Sequence, residues 1–144
     1  MRILLDTGVL LRFFNSNDPL HLPVRKYVFE MLGKDEVRVA PQCIYEFMVV
    51  ATRSTIEGGF GKSTSDLTTA FDRIKNTFLC EADPKELLDI WFNLVVHHKV
   101  AGKQVHDARL VAYMNCLAID AIFTLNPADF KRYGVNVLSP ELAS

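Results

Sequence analysis

Cysteine is scarce in this chain of 144 residues: Cys43, Cys80 and Cys116 stand far apart, with no Cys-x-x-Cys pair among them. Neither a disulfide framework nor a zinc ribbon follows from that number and spacing, so the three read as reduced core residues. Long hydrophobic runs are missing too. The best candidates, residues 3–5 and 9–11, are broken by Asp6 and Arg12, far short of the roughly 20 apolar residues that cross a bilayer, which excludes a membrane span. Residues 1–6 carry neither the basic lead nor the small-residue cleavage pattern of a signal peptide, and the expectation is a cytoplasmic protein. Charge of one sign is not in excess either. Sixteen Lys and Arg against 17 Asp and Glu give a net charge of −1, so no global field marks a nucleic-acid partner.

What is present is apolar bulk. Hydrophobic residues make up 49% of the chain, with ten Phe, and this can offset chain entropy by burial, giving one globular domain over residues 1–144. Residues 2–5 form a continuous apolar run that ends abruptly in Asp6, the pattern of a strand buried on both faces. Helical spacing follows over 9–14 and 21–32, closed by Gly33, then a short strand over 37–40 and a helix from Pro41 to about residue 52. A glycine-rich loop spans 57–61. Beyond it come a helix over 65–74, a strand over 77–80 and a helix over 84–98 started by Asp83 and Pro84. A nearly all-apolar helix over 105–117 should lie deep, and strands over 121–124 and 135–138 complete the order. Such alternation implies α/β architecture, with helices covering both faces of a mostly parallel sheet and any site beyond the carboxyl ends of the strands.

Three acidic residues occupy positions that structure alone explains poorly, and the pair Asn126 and Asp129 is a fourth candidate. Asp6 follows a buried strand directly, where a carboxylate must be paired, protonated or bound to a cation, although it also suits an N-cap for the next helix. Glu46 shares its helical stripe with Gln42, Cys43, Val49 and Val50, mostly residues that favour burial; pairing with Arg53 at the rim is the alternative. Asp107, in His106-Asp107-Ala108, opens the deepest helix, where the helix dipole also favours an acid. Asp129 lies just past a strand end in Asn126-Pro127-Ala128-Asp129, where capping is an equal explanation. Strand ends and helix N-termini at one rim of a parallel sheet face the same crevice, so these acids can converge there. Convergent carboxylates raise one another's pKa unless a cation sits among them, and all-oxygen ligation selects Mg²⁺ or Mn²⁺.

Leu4-Leu5-Asp6-Thr7, Glu46 on the helix after the second strand, His106-Asp107-Ala108 and Thr124-x-Asn126-x-x-Asp129-Phe130 together resemble a PIN domain of the VapC toxin ribonuclease type. The resemblance spans essentially the whole chain. It implies a three-layer α/β/α sandwich that cleaves RNA with Mg²⁺ or Mn²⁺, restrained by a VapB-type antitoxin and assembled as a homodimer. Asp6, Glu46 and Asp107 match the metal-binding acids of the pattern, and the fourth position falls on Asp129, with Asn126 as the alternative. Thr124 and Asn126 would contact the phosphate or orient the acids. The pattern usually has Ser or Asn two residues after the first aspartate; Gly8 stands there, and Thr7 is the nearest hydroxyl to replace it.

Other signals carry less. Gly61-Lys62-Ser63 lacks the earlier glycine and the preceding strand of a phosphate-binding loop, and His97, His98 and His106 have no second ligand at zinc spacing. Lys99, Lys103 and Arg109 suit either RNA phosphates or a solvated helix end. Phe13 and Phe14 suit either a groove for an antitoxin segment or the core. Two further readings stand beside the nuclease: a PIN-like module that only binds RNA or protein, and a phosphoryl-transfer site of the receiver type. The second lacks the extra aspartate that such phosphatases place where Gly8 lies.

Overall fold

The computed structural model describes residues 1–141, so the expected span of 1–144 is followed to that point. Strand β1 (Arg2–Leu5) buries Ile3, Leu4 and Leu5 almost completely, as its unbroken apolar run requires. It lies between β2 (Glu36–Arg38) and β3 (Ala121–Phe123), with β4 (Asn136–Leu138) outside β3, giving the order β2-β1-β3-β4 with every pairing parallel. The register sets Leu4 opposite Arg38 on one side and Ile122 on the other. From β1 to β2 the chain steps one way across the sheet, and from β2 to β3 it steps back. Right-handed crossovers therefore place the two connections on opposite faces, which makes the three-layer sandwich.

The first connection is α1 (Thr7–Phe14) and α2 (His21–Leu32); the second holds α3 (Pro41–Thr52), α4 (Thr64–Thr77), α5 (Leu87–His98) and α6 (Gln104–Leu117). Pro41 occupies the first turn of α3, and Ser63 with Asp66 closes a reciprocal capping box at the start of α4. Helix α6 lies deep: Ala108, Leu110, Val111, Ala112, Tyr113 and Met114 are all buried. It ends at Ala118, an exposed residue held at φ 52°, where a Cβ costs about 1–2 kcal/mol. Ala118→Gly is therefore expected to raise stability by ~0.5 kcal/mol, the strain relieved less the extra unfolded-chain entropy, measured as a higher denaturant midpoint at constant slope.

Three expected elements shift. The strand over 77–80 is a single parallel bridge between Leu79 and Arg38, because α4 runs on through Thr77 and leaves too few residues to pair. Helix α5 begins at Leu87, not at residue 84, and Asp83 does not cap it; that carboxylate pairs with Arg109 instead. A 3₁₀ turn at Thr55–Glu57 leads into the loop over 57–61, and at Gly59 any Cβ would stand 2.2 Å from the Arg53 carbonyl oxygen, so only glycine fits. All three cysteines are free, and burial pushes the Cys43 thiol up to about 12. No helix among the described residues is long and apolar enough to cross a membrane.

Candidate active site

The site grows from the carboxyl ends of β1 and β3, neighbours at the point where the connections depart in opposite directions. Asp6 leaves β1 with its N–H bonded to the Phe123 carbonyl (3.0 Å) and at once caps α1, accepting the Thr7 N–H at 2.8 Å. Capping and a second role are thus compatible, since the other carboxylate oxygen accepts the Thr124 hydroxyl at 2.7 Å. Thr124, fully buried just past β3, also receives the Asn126 N–H on its Oγ1 at 3.0 Å, so one hydroxyl ties the turn after β3 to the acid after β1.

Glu46 reaches the same place from α3. Its Oε2 accepts the Thr7 hydroxyl at 2.6 Å and its Oε1 accepts Gln42 Nε2 at 2.9 Å; Arg53 plays no part. The two adjacent groups of Thr7, amide and hydroxyl, therefore hold one acid each. Thr7 and Thr124 spend their hydroxyls on Glu46 and Asp6, so neither supplies the polar group missing at Gly8, and orienting the acids is the role their geometry carries. Near Gly8 the polar group is the Arg12 guanidinium, which donates to the Gly8 carbonyl at 3.0 Å. Asn126 is exposed and makes no side-chain cap bond.

Asp107 stands in the first turn of α6, half-buried, and its carboxyl is pushed up to about 7, first by burial and then by the charges of Asp6, Asp129 and Glu46. Lys103 offsets part of this. Burial likewise holds the Asp6 carboxyl above its ordinary range, against the Thr124 and Thr7 hydrogen bonds and with the charges of Glu46 and Asp129 adding to it. Asp129, exposed on the 3₁₀ turn Pro127–Asp129, is the fourth acid, and its charge bears on Asp6 and Asp107. Among the described residues, no three His, Cys, Asp or Glu side chains form a group already closed enough to hold an ion. The charges bearing on Asp107 are those of three acids, opposed by Lys103. Their donor set is all oxygen, which fits a hard divalent cation.

Behind Glu46 runs a chain of polar contacts that sequence reasoning did not find. Gln42, buried, donates to Glu46 and to the His106 carbonyl, each at 2.9 Å, and accepts from Arg109 at 3.1 Å; Arg109 in turn pairs with Asp83 at 2.7 Å. The spacing from Gln42 to Glu46 is one helical turn and was legible as a side-chain pair. Nothing local signalled the meeting with Arg109, 67 residues away.

No family model matches the chain, and no curated protein matches it in sequence. Solved structures do match in shape. They include a chain of VapBC2 from Rickettsia felis, bound to a DNA fragment from their promoter, with a TM-score of 0.74 at 11% identity, covering 96% of this chain and 98% of that one. VapC20 of Mycobacterium tuberculosis, a sarcin–ricin loop cleaving toxin, aligns with a TM-score of 0.68 at 18% identity over 92% and 95% of the two chains. FitAcB from Neisseria gonorrhoeae gives 0.66 at 15% identity over 97% and 99%. The likeness extends over nearly the whole of each chain, and the fold of this chain, with its four-stranded all-parallel sheet, is the PIN-like α/β/α sandwich seen in those VapBC- and FitAB-type structures.

Proposed function

We propose that the chain is a metal-dependent endoribonuclease and the toxin of a toxin–antitoxin pair. The observation that carries this reading is the geometry at the carboxyl rim of the sheet, where Thr7 holds Asp6 with its amide and Glu46 with its hydroxyl, Thr124 holds Asp6 from β3, and the charges of Asp6, Glu46 and Asp129 bear on Asp107. These four residues would hold Mg²⁺ or Mn²⁺. Such an ion supplies charge neutralisation for a phosphodiester and acidifies a nearby water toward neutral pH. The chain's part is to hold the donors in place. Thr7 and Thr124 fix Glu46 and Asp6, the helix dipole of α6 favours the ionised form of Asp107, and burial strengthens every charge interaction in the hollow.

RNA as substrate and a VapB-type antitoxin as partner rest on the shared fold with VapC20 and the VapBC complexes, and a homodimer in the cytoplasm belongs to the same reading. The structure offers an antitoxin segment a groove of about 450 Å³ between α1, α2 and α4, lined by Phe13, Phe14, Phe29 and Arg25. Phe13 is core on its inner side, packing against Phe78 with ring centroids 5.3 Å apart, while the Arg25 guanidinium sits 5.0 Å over its ring. The test is cleavage of structured RNA by the purified chain. Products that appear with Mn²⁺ or Mg²⁺ and vanish on chelation support the proposal; no cleavage of transfer or ribosomal RNA with either ion overturns it. Gly8 favours one other reading, a module that binds RNA without cutting it, which predicts RNA binding and no Mn²⁺ affinity.

A further inference from the structure

We infer that Gln42 is a positioning residue for Glu46, and that Arg109 sets the direction in which its amide points. The inference rests on the metal-binding reading above and adds to it two residues outside the acid set. Arginine has only donors, so the Gln42 group facing Arg109 must be the carbonyl Oε1. That choice turns the Gln42 NH₂ toward Glu46 and the His106 carbonyl, and both of its hydrogens find acceptors at 2.9 Å. The amide has no second arrangement of equal quality, because a flip would face NH₂ to guanidinium and Oε1 to carboxylate and carbonyl at once. Asp83 holds Arg109 from the other side at 2.7 Å at the partly exposed end of the chain of contacts, and Gln42, at its inner end, is buried.

The consequence falls on Glu46. It receives donors on both oxygens, from Thr7 and from Gln42, which fixes the rotation of its carboxylate. The His106 carbonyl ties the same amide to the start of α6, one residue before Asp107, so Gln42 also holds the helices bearing Glu46 and Asp107 at a set spacing. Groups that orient a metal ligand in this way typically change affinity about 10–100-fold when removed.

Charge and positioning predict opposite signs for Arg109→Met. Losing a cation from the edge of an acidic hollow should tighten Mn²⁺ binding if Arg109 acts only through its charge; losing the lock on Gln42 should weaken it. Mn²⁺ titration calorimetry on folded protein, checked by circular dichroism, is expected to show affinity lowered about tenfold in Arg109→Met. In the Gln42→Leu background the same change should have no further weakening effect, since Arg109 acts through Gln42. The Gln42 side-chain amide is expected to give two dispersed, slowly exchanging proton signals by NMR that collapse toward solvent values in Arg109→Met, a readout that needs no metal. Unchanged or tighter Mn²⁺ binding in Arg109→Met, or full additivity with Gln42→Leu, overturns the assignment and leaves the nuclease reading standing. A wild-type chain that binds no Mn²⁺ removes both.

Discussion

Asp6→Asn is expected to lower RNA cleavage at least about a hundredfold while the chain stays folded. Losing one charged oxygen donor from a metal-binding set removes transition-state charge stabilisation of about 3 kcal/mol or more, and each 1.36 kcal/mol is tenfold in rate. The fold tolerates the change because both partners of Asp6 can be kept. An asparagine Oδ1 still accepts the Thr7 N–H, and its NH₂ donates to Thr124 Oγ1 once that hydroxyl rotates, so the change costs the one hydrogen bond that the Thr124 hydroxyl made to the carboxylate, about 1 kcal/mol, while it removes a buried charge. The variant also carries no buried charge next to Glu46 and Asp129, and its melting temperature at pH 8 without divalent ions should equal or exceed that of the wild type. Cleavage rates on one RNA, with a melt of each protein, make the comparison. A variant that cuts as fast as the wild type sinks the assignment of Asp6.

The second large effect is a dependence of stability on pH and on divalent cations together. The Asp107 carboxyl is pushed up to about 7 in the folded chain, chiefly by burial, against about 3.9 unfolded. Between those values the folded state binds more proton than the unfolded state, so stability is full below about pH 4 and is lost as pH rises to about 7. Solvent reaches this half-buried group, and its share is accordingly set at ~1 kcal/mol, roughly 3–5 °C in melting temperature. Above pH 7 the cation acts where the proton acted below it. At a hundredfold excess over its dissociation constant Mn²⁺ adds about 2.7 kcal/mol, or roughly 8 °C, and at pH 5 it adds less because it competes with protons. Melts at pH 5 and 8, with and without Mn²⁺, for wild type and Asp107→Asn, separate these contributions. In Asp107→Asn the slope attributable to this carboxyl and most of the Mn²⁺ gain should disappear. A Mn²⁺ gain equal in both proteins would place the ion elsewhere.

Much of the fold was legible before any coordinates. Residues 2–5 read as a buried parallel strand, and α2 and α3 fall at the residues their apolar spacing and Pro41 indicated. The errors cluster where local signals compete. Thr77, Phe78 and Leu79 have strand-like side chains, yet the capping box at Ser63 starts α4 and the helix runs through to Thr77, leaving one bridge. Asp83 and Pro84 look like a helix start, but Asp83 has a stronger partner in Arg109 than in free backbone amides.

The amino-acid order alone determined that the chain would be α/β, that its first strand would be buried, and that Asp6, Glu46, Asp107 and Asp129 would stand at element ends or on apolar stripes. Periodicity, caps and burial preference act over a few residues, and those were readable along the chain. Tertiary structure alone decided that Thr7 serves two acids, that Thr124 joins β3 to Asp6 across 118 positions, and that Gln42 is oriented by Arg109. Those contacts depend on distance and direction between segments far apart in sequence, and only the parallel sheet, by bringing the ends of β1 and β3 side by side, creates them.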